Sequence, residues 1–177
     1  MIITHNHLPK KCYSDKYGFV KDITRVDGAI IHYISAVNVL PDDPYNMGAI
    51  RKIFEDYKVS AHYLIDRDGE VIELVPLPHR AFHAGKSIMD GRMFCNSFTV
   101  GIELVGGKWE AYPDDQLNSL YILLKYLMNK YGFSIDKIRG HDAVREEWNN
   151  TSHVRNAPVK EDPGPLFPWD ELRERLS

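Results

Sequence analysis

A hairpin written into residues 61–75 constrains the fold of this chain more than any other feature. Ala61 to Ile65 and Glu70 to Val75 are two strand-like runs, and Asp66-Arg67-Asp68-Gly69 joins them, with glycine where a tight turn needs positive φ. A third strand is expected over Phe98 to Val105. Phe98, Val100, Ile102 and Leu104 would share one of its faces, and Thr99, Gly101, Glu103 and Val105 the other. Ala29 to Tyr33, bounded by Asp27-Gly28, reads as a short buried strand. From Met47, apolar residues recur at Ile50, Phe54 and Tyr57, a helical period that buries one face. Pro113-Asp114-Asp115 opens a second helix, with acids where the helix dipole favours them. Its apolar stripe is Leu117, Leu120, Tyr121, Leu124, Leu127, Met128 and Tyr131, and Gly132 ends it. A brief strand is expected over Ile135 to Arg139 and a closing helix over Trp169 to Leu176. Strands interleaved with helices predict an α/β fold, a single domain whose central mixed β-sheet is flanked by helices.

The 177 residues suffice for one domain with a real core. Residues 1–28 are polar and irregular and are expected to wrap the surface, while residues 143–161 read as a polar inserted loop. A net charge of −3 argues against a nucleic-acid partner held by a general basic field. No run approaches the roughly 18 apolar residues that span a bilayer, so no membrane partner is expected. Met1 to His5 begins no secretory signal, which implies synthesis in the cytoplasm. Cys12 and Cys95 are too few for a disulfide framework and read as free thiols. The chain is expected to be a monomer.

Chemistry concentrates where packed elements give way to loops. His32 closes the apolar run 29–31, His141 follows Ile138-Arg139-Gly140, and Asp162 opens Asp162-Pro163-Gly164-Pro165. Two imidazoles and a carboxylate can hold zinc in three tetrahedral positions and leave the fourth open. Such an ion acidifies a water and suits hydrolysis of an unactivated amide. The positions match no local zinc spacing, however, and His153, in the polar loop before Asp162, is a rival ligand. Glu103 stands inside the apolar run 100–105. It is either an edge glutamate facing solvent or a general base, because a buried unpaired carboxylate is costly. Gly101 beside it suggests a close approach on that face. Lys160, two residues before Asp162, is either a solvated charge or a stabiliser of a developing oxyanion. His83, in Arg80-Ala81-Phe82-His83-Ala84-Gly85, is expected to bind substrate, with a structural hydrogen bond as the alternative. Lys58 and Asn96 are also expected to bind substrate. His62 is expected to be buried and hydrogen-bonded, and His5, His7 and His79 to lie at the surface.

Several of these segments together resemble a known family. Val59-Ser60-Ala61-His62-Tyr63-Leu64-Ile65, Arg67-Asp68-Gly69-Glu70, Arg80 to Gly85, Cys95-Asn96-Ser97-Phe98, Gly101-Ile102-Glu103-Leu104, Gly140-His141 and Lys160 to Pro165 are similar to the signature of zinc N-acetylmuramoyl-L-alanine amidases of the type-2 class. That family includes muropeptide-recycling amidases, phage lysins and peptidoglycan recognition proteins. The resemblance runs from residue 29 to about 170, and it implies cleavage of the amide between N-acetylmuramic acid and L-alanine. It also implies that His32, His141 and Asp162 hold Zn2+ at the sheet edge, that Glu103 and Lys160 are catalytic, and that the partner is peptidoglycan or a muropeptide. Ala61 and Asp162 stand where the phage branch carries tyrosine and usually cysteine, as in the recycling branch. Tyr33 and Phe94 depart from that branch, which has asparagine and tends to have arginine there, and the stretch from His141 to Asp162 is longer. These departures favour a cell-wall-lytic enzyme of endolysin type, reaching the wall through a holin-type lesion. The alternatives are a cytosolic recycling amidase and a non-catalytic peptidoglycan-binding module.

Overall fold

The computed structural model describes residues 2–14, 26–77, 79–151 and 157–177. In chain order its elements are β1 (Ile3–His5), β2 (Tyr13–Ser14), β3 (Gly28–Ile34), α1 (Met47–Tyr57), β4 (Tyr63–Ile65), β5 (Val71–Glu73), β6 (Arg80–Ala81), β7 (Ile88–Met89), β8 (Arg92–Met93), β9 (Thr99–Val105), α2 (Asp114–Tyr131), β10 (Ile138–Gly140), α3 (His141–Asn150) and α4 (Trp169–Leu176). Six strands form one sheet in the order β1-β5-β4-β9-β3-β10. Only β4 and β5, the expected hairpin, run antiparallel within it, so the sheet is mixed. Gly69 takes φ +85° at the turn, a conformation that L side chains rarely adopt.

Alternation along the strands sorts the two faces. Ala29 and Ile31 of β3, Val100, Ile102 and Leu104 of β9, and Tyr63 and Ile65 of β4 pack against α2 and α4. Leu120, Leu124 and Leu127 of α2 are fully buried there, and each such side chain contributes about 1.5–3 kcal/mol of burial. Gln116, on the same helix face, points its amide at the sheet and donates from Nε2 to Ile65 O (2.9 Å) and Val105 O (3.0 Å). The opposite sheet face meets α1 through Ile34, Leu64 and Val105, and meets α3 through Ile30. Asn46 caps α1 by accepting from the Ala49 amide.

Five expectations are corrected. The N-terminal segment is not wholly irregular: β1 is an edge strand of the main sheet, paired in parallel with β5, and β2 pairs with β6. Residues 143–150 are helical, not loop, because His141, Val144, Arg145 and Trp148 form one buried face. That face includes a histidine and an arginine, so composition alone reads as polar. Ile135–Lys137 is a 3-10 turn, and only Ile138–Gly140 is strand. Phe98 precedes β9 and packs with Ile30 and Val144 on the α3 side, while Tyr57, at the last turn of α1, is exposed. No helix among the described residues is long and apolar enough to cross a membrane.

Candidate functional site

Parallel pairing of β3 with β9 sets His32 opposite Glu103. Both side chains lie on the face shared with Ile30 and Ile34, which is covered by α1 and α3. His141 begins α3, directly after the edge strand β10, so it stands beside His32 at that edge of the sheet. Asp162 arrives from the far side of the chain and is fixed at two points: the Asp142 amide donates to Asp162 O (3.0 Å), and the buried Tyr112 hydroxyl donates to Pro163 O (2.6 Å).

Three ligand-type atoms converge as a result. His32 Nδ1 lies 2.7 Å from Asp162 Oδ2 and 3.1 Å from His141 Nδ1, and His141 Nδ1 lies 3.0 Å from the same Oδ2. The surrounding network favours one set of ring tautomers. His141 Nε2 faces the Ala84 carbonyl at 3.2 Å, so it donates there and leaves Nδ1 bare. The Thr99 hydroxyl donates to Cys95 O, so its oxygen is free to accept from His83 Nε2 at 3.5 Å. His83 Nδ1 is then an acceptor for His32 Nε2 at 3.1 Å, and His32 Nδ1 is bare as well. Two imidazole lone pairs and a carboxylate oxygen pointing at one spot repel each other unless a cation lies among them. The donor set and its hydrogen-bonded backing fit a zinc-type ion. His153 lies outside the described residues.

Electrostatics agree with this arrangement. Burial pushes the His32 imidazole down to about 4, against the raising effect of Asp162, and so favours the neutral ring a metal needs. Burial opposes ionisation of Asp162, but the two imidazoles outweigh it and hold the carboxyl below the usual carboxylate range. Burial raises the Glu103 carboxyl well above its ordinary value; the nearby Asp162 charge adds to this and Lys160 opposes it. Glu103 Oε2 is buried with no hydrogen-bond partner among the described residues. A cavity of about 370 Å³ opens over these groups, lined by His32, Glu103 and Asp162 on its floor and by Val59, Phe82 and Lys160 on its walls.

The other site candidates sort differently. Lys160 is exposed and lines the cavity, beside Glu103 and not buried with it. His83 lines the cavity too, with its ring against His32 (centroids 5.3 Å apart) and its Nδ1 3.1 Å from His32 Nε2. Asn96, expected at the substrate, instead accepts from the His83 and Ala84 amides through Oδ1 (3.0 and 2.7 Å) and holds that loop. Lys58 is the left-handed C-cap residue of α1, with φ 54°, and is exposed beside the cavity wall that its neighbour Val59 begins. His62 is fully buried, accepts from the Gly101 amide and faces His79 O through Nε2, as its sequence context implies. Tyr33 lines the cavity, whereas Phe94 stands exposed against Trp148.

Sequence reasoning missed Arg145. Its guanidinium, almost fully buried, donates to Lys86 O and Pro158 O (both 2.7 Å), tying the loop after His83 to the strap that carries Lys160. Its spacing from Val144 and Trp148 on one helix face was the available signal. Gly101 is the other supporting residue. A Cβ there would lie 2.4 Å from the His83 ring, so the strand must be bare for the ring to back His32. Gly101→Ala is therefore expected to cost about 1–3 kcal/mol and weaken zinc affinity about tenfold or more, read by thermal melts and metal titration.

A family model described as N-acetylmuramoyl-L-alanine amidase, Amidase_2, matches residues 22–165. The chain is 39% identical over 119 residues to the 1,6-anhydro-N-acetylmuramyl-L-alanine amidase AmpD of Enterobacter cloacae, an alignment covering 67% of this chain and 58% of that protein. It is 32% identical over 157 residues to AmpD of Haemophilus influenzae, covering 80% and 77%. The chain thus spans somewhat more than half the length of the first of these relatives. A crystal structure of an AmpD derivative superposes with a TM-score of 0.74 at 28% identity, covering 99% of this chain and 94% of that one. An endolysin amidase, LysCS from Clostridium intestinale, shares the fold with a TM-score of 0.68 at 22% identity, covering 99% and 95%.

Proposed function

The chain belongs to the N-acetylmuramoyl-L-alanine amidase family, and on that premise we propose that it hydrolyses the amide between N-acetylmuramic acid and the L-alanine of a stem peptide. The observation that carries the reading is the convergence of two imidazole Nδ1 atoms and one carboxylate oxygen beside a glutamate whose Oε2 is buried without a hydrogen-bond partner among the described residues. Zinc, the metal these donors suit, would polarise the amide carbonyl and acidify a water when bound. The residues do the rest. Glu103 takes a proton from the attacking water as the C–O bond forms, then delivers it to the amine nitrogen as the C–N bond breaks. The Lys160 ammonium, at the cavity wall, faces the oxygen on which negative charge develops. Val59 and Phe82 keep the pocket wall apolar, which strengthens both interactions.

Soluble anhydro-muropeptides are the favoured substrate. Relatives named 1,6-anhydro-N-acetylmuramyl-L-alanine amidases support that alternative over the lytic reading, to which Tyr33, Phe94 and the longer His141–Asp162 stretch pointed. The test compares stem-peptide release, by mass spectrometry, from a soluble anhydro-muropeptide and from intact sacculi. We expect kcat/KM at least about tenfold higher on the soluble fragment. A reversed ratio would restore the lytic reading, and binding of either without release would leave a recognition module.

A further inference from the structure

A second set of ligand-type side chains stands at the opposite edge of the sheet from the catalytic cavity. His5 is the last residue of β1 and pairs in register with Glu73 of β5. Beyond the ladder the chain stays bonded to the same neighbour, with one residue of slip: Asn6 N donates to Glu73 O (3.1 Å) and Leu8 N to Leu74 O (2.8 Å). Positions 5 and 7 of this extended run therefore project to the same side. Arg51 of α1 locks the backbone between them, donating to Asn6 O (2.9 Å), Asn6 Oδ1 (3.0 Å) and His7 O (2.8 Å).

The two imidazoles close on one carboxylate from either side. His5 Nδ1 lies 3.3 Å from Glu73 Oε2, and His7 Nε2 lies 3.3 Å from Glu73 Oε1. All three donor atoms fall within 4.8 Å of one another. Among the described residues no lysine or arginine pairs with Glu73. The 3.3 Å separations are long for charge-assisted hydrogen bonds, which run at about 2.7–2.9 Å. Each, taken to its own carboxylate oxygen, is close to the edge length of a tetrahedron whose corners lie about 2.0 Å from a central ion. Glu73 is only 14% exposed, while His5 and His7 face solvent at 64% and 42%, so the fourth position of such an ion would remain open to water.

We infer that His5, His7 and Glu73 form a second divalent-ion site, selective for zinc-like transition metals, whose occupancy clips β1 to β5. The catalytic cavity is lined by other residues, and the contact of this site with both β1 and β5 assigns it the role of a fastener. Two imidazoles and a carboxylate suit zinc or copper over calcium or magnesium.

The test uses the full chain, stripped of metal and titrated with Zn2+ alone. Wild type should bind two ions, the second at least tenfold more weakly than the first. His5→Ala/His7→Ala should bind one, with hydrolysis at one equivalent of zinc unchanged. Hydrogen exchange of the Ile3–His5 amides should slow when wild type takes up its second ion, and should not respond in the variant. Saturation of wild type at one ion, or a second ion retained by the double variant, would overturn the site. Unchanged exchange in wild type with two ions bound would overturn the fastening role. Glu73→Gln, which keeps the shape of the side chain, guards against a folding artefact and should also bind a single ion.

Discussion

Glu103→Gln should lower kcat on a soluble anhydro-muropeptide about a hundredfold or more and leave the fold intact. The amide keeps the size of the carboxyl but cannot accept a proton from water. The same substitution separates function from stability. In the metal-free protein, burial raises the Glu103 carboxyl above its ordinary 4.5, so the native state binds that proton more tightly than the unfolded chain. Stability is then undiminished below pH 4.5 and falls as pH rises towards the native value. At pH 7 the glutamine variant should be more stable than wild type by about 1 kcal/mol, a rise of about 2–4 °C in Tm. At pH 4 the two should melt together. Equal turnover of the variant and wild type would remove Glu103 from the mechanism.

Asp162→Ala should be more damaging. Asp162 Oδ2 is the one atom that both Nδ1 groups approach, so its loss leaves two imidazoles and no anionic ligand. Zinc at a hundred times its dissociation constant stabilises the native state by about 2.7 kcal/mol. Wild type should therefore melt about 5–10 °C higher with zinc than after chelation, and the variant should show no such difference. Hydrolysis should drop about a thousandfold in the variant, and as far in chelated wild type, recovering only in the latter when zinc returns. Calorimetry and a release assay on the same samples read both effects.

Much of the frame behind these expectations is legible in the chain itself. The β4–β5 hairpin declares itself through Asp66 to Gly69, and α2 through its leucine stripe and terminal Gly132, because those patterns are local. The grouping of His32, His141 and Asp162 as a possible metal-binding set is legible as chemistry, since loop-edge histidines and an Asp-Pro-Gly turn are unusual company. What escapes is whatever depends on distant partners. The α3 helix hides because its buried face is built from His141 and Arg145, whose hydrogen bonds lie at Ala84, Lys86 and Pro158. His83 and Asn96 look like substrate contacts in sequence. Only the fold shows that one backs His32 and the other ties down the loop that carries it. Strand order is equally invisible, because β1 joins the sheet through β5, where Thr4 pairs with the distant Ile72.

Anomalous scattering at the zinc edge, from crystals of the zinc-loaded chain, goes most directly to the heart of the matter. A peak about 2.0–2.2 Å from His32 Nδ1, His141 Nδ1 and Asp162 Oδ2 together is the expected result. A cavity with no peak between those atoms, or an ion there held by His153 in place of Asp162, would contradict it.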